Sequence, residues 1–267
     1  MNILEQIAAH KQKEVAERKS LVPIKLLEQS IYFGTQPLSF KKYLQRADLN
    51  GIIAEFKRKS PSLGMINPHA SVEKTTIGYM QAGASALSVL TDQHFFGGKN
   101  EDLTLARKYN FCPILRKDFI LDEYQIVEAK SIGADVILLI AGILETQKLN
   151  QLATFARSLG LEILLEVHDR EELERTMTDA VDVIGVNNRN LKDFTVSIQT
   201  SKDLAPLIPD TFIKVSESGI GQPGTVQELR QFGYRGFLMG EAFMNTSQPE
   251  KSCAAFIQSL KQPAPVI

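Results

Sequence analysis

The stretch Ser131-Ile-Gly-Ala-Asp-Val-Ile-Leu-Leu-Ile140 ends a helix on a glycine and, two residues later, opens an apolar strand. A glycine just past a helix takes the left-handed conformation that stops it. The same junction recurs at Gly83 in AGASALSVL (82–90), at Gly160 in SLGLEILLEV (158–167) and at Gly233 in QFGYRGFLMG (231–240). Eight strand-like runs follow from reading outward: 51–56, 86–90, 113–116, 135–140, 162–167, 182–186, 211–216 and 236–239. Helical patterns separate them. Residues 145–159 place Leu149, Leu152, Ala153 and Ala156 on one face. Asp169-Arg-Glu-Glu172 reads as a capping box opening the helix after the fifth strand.

Nearly continuous apolar strands alternating with helices imply a parallel sheet covered on both faces. Eight such units in residues 49–267 predict an α/β fold of the (β/α)8 barrel type. An open doubly wound sheet is the alternative. No Gly-x-Gly-x-x-Gly follows the first strand, which disfavours a dinucleotide fold. In residues 1–48, Leu4, Ile7, Ala8 and Val15 form one helical stripe, and Leu38, Tyr43, Leu44 and Ala47 suggest another. We read this segment as a helical extension on the barrel rather than a second domain. The tail, residues 262–265, reads as loose.

Composition narrows the function classes. The 267 residues are 43% hydrophobic and 23% charged, with net charge −1. That balance suits a globular enzyme and gives no basic surface for nucleic acid. No run approaches the roughly 18 apolar residues of a membrane span. Residues 1–20 are charged and lack a signal-peptide core, so a cytoplasmic location is expected. Cys112 and Cys253, the two cysteines, have no metal or redox spacing and are expected to be reduced core residues.

The first strand carries the chemistry. In residues 51–62, GIIAEFKRKSPS, strand alternation points Ile53, Glu55 and Lys57 to the same side. A buried ion pair is the plain alternative reading, though such pairs seldom add net stability. An acid and a base on an inner strand face therefore suggest a site for an anionic substrate. Active sites of barrels sit at the C-terminal ends of the strands. Here those ends carry Glu55, Lys57, Lys117, Glu166, Asn187, Arg189, Glu217 and Ser218. Each also has a plainer reading. Lys117 beside Asp118 could be a solvated pair, Glu166 could simply hold a lysine, and Asn187 and Asn188 are good turn formers. We expect Lys117 and Glu166 to be exposed at their strand ends.

Ser218-Gly219-Ile220-Gly221 and Met239-Gly240-Glu241 end the seventh and eighth strands, where barrel phosphate sites commonly lie. Lys59 and Ser60 could complete such a site, while Glu241 would turn its carboxylate outward and offer its N–H. Glycines as turn punctuation are the plain alternative. Phe95-Phe96-Gly97-Gly98 reads either as a mobile aromatic loop over an apolar ring or as packing. Of the four histidines, His10, His69, His94 and His168, none has metal-ligand spacing to another. His168 is expected to face away from Glu166 across the strand-to-helix turn.

Together these residues resemble the indole-3-glycerol phosphate synthase family. The matching segments are ILEQIAAHKQKEV (3–15), IIAEFKRKSPS (52–62), SVLTDQHFFGG (88–98), PILRKDFI (113–120), LLEVHD (164–169), IGVNNRNL (184–191), VSESGI (215–220) and LMGEAF (238–243). IIAEFKRKSPS and LRKDFI are the most specific. The resemblance implies a (β/α)8 barrel with an N-terminal helical extension, needing neither metal nor organic cofactor. It implies a carboxy-lyase of tryptophan biosynthesis that closes the indole ring of 1-(2-carboxyphenylamino)-1-deoxyribulose 5-phosphate, losing carbon dioxide and water. It assigns Lys117 as proton donor to the ketone oxygen and Glu166 to the cationic intermediate or to proton transfer. Glu55 and Lys57 match the dehydration pair, and Asn187 and Ser218 orient polar groups. Lys59, Ser60, Phe96, Phe119, Arg189, Glu217, Gly219, Gly240 and Glu241 are implied to bind the phosphorylated substrate. A monomer is expected, with association with other tryptophan-pathway enzymes left open. Two competitors stand beside this reading: a Schiff-base lyase or aldolase using Lys57 or Lys117, and a silent barrel that binds a phosphorylated metabolite.

Overall fold

The structure, a computed structural model, describes residues 3–191 and 193–261. The tail expected to be loose lies outside the described residues. Eight strands form the barrel: β1 Ile52–Phe56, β2 Ala86–Leu90, β3 Ile114–Lys117, β4 Val136–Ile140, β5 Glu162–Val167, β6 Val183–Asn187, β7 Ile213–Glu217 and β8 Tyr234–Met239. Each pairs in parallel with its neighbours in sequence, and β1 pairs with β8 to close the ring. The open-sheet alternative is thereby excluded. A short antiparallel hairpin, Lys59–Ser60 against Gly64–Met65, follows β1.

Helices α1 Ile3–Leu21, α2 Ile24–Leu27 and α3 Phe40–Leu44 precede the barrel. Around it run α4 Val72–Gln81, α5 Asn100–Tyr109, α6 Glu123–Ser131, α7 Thr146–Ser158, α8 Arg170–Thr176, α9 Gln199–Leu204, α10 Pro223–Gln231, α11 Glu241–Met244 and α12 Pro249–Leu260. Gly83, Gly133, Gly160 and Gly233 all have positive φ, between 78° and 94°. A side chain there would strain the turn back into the next strand, so the junction glycines punctuate as expected. In α7 the expected face, Leu149, Leu152, Ala153 and Ala156, is the buried one.

Strand periodicity sorts the core into two layers. Ile52, Ala54, Ile137, Leu139, Ile163, Leu165, Ile184 and Val186 pack outward under the helices. Ile53, Val136, Leu138, Ile140, Leu164, Val183, Val215 and Leu238 fill the barrel interior. Phe40 and Leu44 of α3 join that interior. The start of α3 is pinned by Glu162, which accepts hydrogen bonds from Ser39 Oγ (2.6 Å) and the Lys41 N–H (2.8 Å). Glu162 opens β5, so α3 plugs the N-terminal end of the barrel. The second predicted stripe is shorter than expected, because α3 stops at Leu44 and Ala47 is exposed. Both cysteines are free and buried, and burial pushes each thiol up to about 12.

Candidate active site

The same alternation that fills the barrel puts Glu55, Lys117, Glu166, Asn187 and Glu217 on its inner face at the C-terminal strand ends. There they line a cavity of about 620 Å³. Lys57, Ser60, Phe96, Phe119, Arg189, Ser218, Gly219, Gly240 and Glu241 line it too. Of the expected site residues only Lys59 stands apart from the wall, its ammonium donating to the His94 carbonyl at 3.0 Å. Leu90, Leu138 and Ile140 add apolar surface, as do Ile3, Leu4 and Ile7 of α1.

Lys117 is the electrostatic centre. Its Nζ lies 3.0 Å from Glu166 Oε2 and 2.7 Å from Glu217 Oε2. Burial opposes its charge, but Glu166, Glu217 and Glu55 together hold the ammonium well above the ordinary lysine range. The two carboxylates share this one cation and diverge. Glu166 is buried, yet Lys117 and His168 keep it well below the usual range. Burial lifts Glu217 to about 7 against the pull of Lys117, with Glu166 adding to the rise. Pairs pushed apart in this way mark acid and base roles.

Two expectations are corrected here. Lys117 and Glu166 are not exposed: Glu166 is buried and the Lys117 side chain is 13% exposed. The barrel mouth is recessed behind the loops and α1, so a strand end is not a surface position. His168 does not face away, because its Nε2 lies 3.3 Å from Glu166 Oε1 and its Nδ1 3.0 Å from Glu172 Oε2. The strand ends at Val167, and the following turn swings the ring back over Glu166. The capping box is only half formed. Asp169 accepts from the Glu172 N–H at 2.9 Å, but the Glu172 carboxylate accepts from the His168 N–H at 2.8 Å.

A second pair sits beside the first. Lys57 Nζ is 2.8 Å from Glu55 Oε1. A Cβ on Gly240, the residue after β8, would lie 2.6 Å from that same oxygen, so a side chain there would push the Glu55 carboxylate out of its place. Likewise a Cβ on Gly185 would lie 2.5 Å from Glu217 Oε1. Asn187 joins three groups: its Nδ2 donates to Glu166 Oε1 (3.1 Å), and its Oδ1 accepts from Ser218 Oγ (2.9 Å) and the Arg189 N–H (3.0 Å).

Ser218 and Gly219 both take the left-handed conformation, at φ 67° and 75°. A non-glycine residue there is uncommon and costs energy that surrounding contacts must offset. Asn188 helps hold it, donating to the Ser218 carbonyl at 3.0 Å. Asn188 is thus structural, bonding also to Ser216 and Ser201, whereas Asn187 faces the cavity. Glu241 is exposed, and its carboxylate lies 3.4 Å from Arg189. Phe96 lies against Phe119, ring centroids 5.8 Å apart and tilted by 36°.

The reading of the residues missed Lys11. It lies on the stripe Ile7, Lys11, Val15 and is wholly buried. Its signal was available, since position 11 is the missing i+4 member of that stripe. Among the described residues no group of three or more His, Cys, Asp or Glu side chains is placed to hold a metal ion. Among them, too, no helix is long and apolar enough to cross a membrane.

A family model described as indole-3-glycerol phosphate synthase matches residues 4–256. A relative from Bacteroides thetaiotaomicron named indole-3-glycerol phosphate synthase is 46% identical over 260 residues, covering 97% of this chain and 99% of its own. One of the same name from Campylobacter jejuni is 40% identical over 257 residues, covering 96% and 100%. A solved chain described as "Native KDPGal structure" aligns with a TM-score of 0.56 at 12% identity, covering 78% of this chain and 91% of that one. At that identity the likeness concerns the fold alone.

Proposed function

The chain belongs to the indole-3-glycerol phosphate synthase family, carboxy-lyases of tryptophan biosynthesis, and we propose how its barrel mouth closes the indole ring. The substrate is 1-(2-carboxyphenylamino)-1-deoxyribulose 5-phosphate. Its phosphate sits against the backbone N–H groups at Gly219, Gly240 and Glu241, with Ser60 opposite. A turn and a helix N-terminus favour an anion there. Its aromatic ring lies along Phe96 and Phe119 over Leu138 and Ile140.

The ring carbon bearing the carboxylate attacks the C2′ ketone. Lys117 donates its proton to the ketone oxygen as that oxygen gains charge. Glu166 faces the cation left on the ring and nitrogen. Carbon dioxide departs and returns its bonding pair to the ring. Removal of a C1′ proton and of the C2′ hydroxyl as water then completes the indole, and Glu55 and Lys57 are the base and acid for that step. Asn187 and Ser218 orient the hydroxyls, and Arg189 and Glu217 complete the polar wall. Lys59 belongs to the phosphate side as a long-range charge rather than a contact. No step requires a metal or organic cofactor. The chain acts as a cytoplasmic monomer, with association with other tryptophan-pathway enzymes left open.

The observation that supports this reading is the geometry: the Lys117 ammonium lies 3.0 Å from Glu166 and 2.7 Å from Glu217, two buried carboxylates that Lys117 and burial push in opposite directions. Incubating the purified chain with the substrate, with and without chelator, tests it. Indole fluorescence should rise with release of carbon dioxide in both cases. Activity lost in chelator and restored by a divalent ion would refute the metal-free mechanism; no product at all would refute the assignment.

A further inference from the structure

The ammonium of Lys11 is buried in α1, 2.9 Å from Asp92 Oδ2, 3.0 Å from Asp118 Oδ1 and 3.0 Å from Glu14 Oε2. Neither aspartate belongs to the extension. Asp92 follows β2 and Asp118 follows β3, directly after Lys117. Each holds one of the two facing aromatic residues, Phe96 and Phe119, of the cavity wall. Asp92 Oδ1 accepts from the N–H groups of Phe95 (2.8 Å) and Phe96 (3.2 Å). Asp118 Oδ1 accepts from the Phe119 N–H at 2.8 Å. The remaining Asp118 oxygen takes Thr91 Oγ1 at 2.6 Å and Arg116 at 3.1 Å. Next along α1, His10 stacks on His94 at 4.3 Å and meets Phe95 edge-on.

We propose that Lys11 is a positioning residue for the aromatic-ring subsite, its ammonium tying together the two loops whose aspartates set Phe96 against Phe119. The idea rests on the ring subsite placed above. A buried cation facing three carboxylates is a costly way to add stability alone. It does fix geometry, because both aspartates face one point while Asp92 through its other oxygen, and Asp118 through the same oxygen, hold the backbone N–H groups of the wall aromatics. The ammonium stays charged against the cost of burial because Asp118, Asp92 and Glu14 surround it. The helix thereby reaches the chemistry without touching a reacting atom.

Two probes separate this role from general loosening. One is the substrate with its ketone reduced to an alcohol, which keeps the arylamino group and the phosphate. The other is ribitol 5-phosphate, which lacks the ring. Lys11→Met should weaken the arylamino probe about tenfold, the scale of a lost aromatic contact, and leave ribitol 5-phosphate unchanged, with the pH profile of kcat unmoved. Equal weakening of both probes, or of neither, overturns the proposal. Should Lys11→Met fail to fold, Asp92→Asn keeps the size and the Oδ1 acceptor while breaking the pair with Lys11. The same selective loss is expected from it, and no loss overturns the proposal. If the unaltered protein binds both probes equally, the ring subsite itself is wrong. Unequal binding by the unaltered protein with no change in the variants removes only the role of Lys11.

Discussion

Lys117 Nζ lies 3.0 Å from Glu166 Oε2, although the two residues are 49 positions apart and sit on strands that do not touch each other. The pair spans the barrel interior. Lys117→Ala leaves Glu166 and Glu217 without their shared cation, and Glu166→Gln removes the charge we propose to face the developing cation. Each should lower kcat by roughly 10²-fold or more, the scale of acid–base partners. Steady-state kinetics on folded variants checks this. Near-normal kcat at saturation in either would remove that residue from the mechanism.

His168 sets a second cationic group against the same carboxylate, 3.3 Å from Glu166 Oε1. Burial disfavours its imidazolium, but Glu166 and Glu172 outweigh that and raise it to about 10, above the ordinary 6.5. A raised cationic group contributes stability that is complete below the unfolded value and lost as pH rises through the folded one. Relative to His168→Gln, the unaltered protein should be most favoured below pH 6.5 and lose that advantage by about pH 10. Urea unfolding of both proteins across this window reads the difference. A difference that does not vary with pH would show that the ring is neutral. The same substitution removes a cation from Glu166, so the acid limb of kcat should move to higher pH.

Inorganic sulfate or phosphate should occupy the turn at Gly219, near Gly240 and Ser60, and compete with substrate. Ser218 and Gly219, both left-handed, shape that turn, and backbone donors there select for anions. A sulfate-soaked crystal with nothing at this position, together with absent competition, would count against the phosphate subsite.

Neither Lys57 nor Lys117 should form a Schiff base. Lys57 is 2.8 Å from Glu55, and Lys117 is paired with two carboxylates. Paired, charged lysines donate protons well but attack carbonyls poorly, whereas Schiff-base lysines are desolvated or set beside other cations. Borohydride added during turnover, followed by intact-protein mass spectrometry, decides the matter. A reduced adduct formed at the rate of inactivation would favour the lyase alternative.

What was legible in the chain was legible for local reasons. The strand runs at 86–90 and 162–167 coincide with β2 and β5. Hydrophobic periodicity and helix-ending glycines depend only on near neighbours. The inward direction of Glu55, Lys117, Glu166 and Asn187 also follows from period-two alternation once the strands are placed. The misreadings involved direction and partner. His168 lies past the end of β5, where alternation no longer applies and only the turn decides where the ring goes. Lys59 has the expected charge in the expected loop, and only the fold shows that its ammonium donates to the His94 carbonyl.

The sequence by itself determined an eight-fold strand-and-helix repeat with buried strands, which has few architectures open to it, and the pairing of β1 with β8 decided for the closed barrel over the open sheet. The sequence determined as well which residue types crowd the strand ends. Only the tertiary structure decided which carboxylate meets which cation. Lys117 could pair with Asp118 beside it, yet it pairs with Glu166 and Glu217 across the mouth, while Asp118 turns to Lys11 and Arg116. Adjacent residues on a strand point to opposite faces, so neighbours in sequence are separated by the sheet. Closure of the ring brings distant residues on the inner face within ångströms of one another, in surroundings where burial makes each pairing consequential.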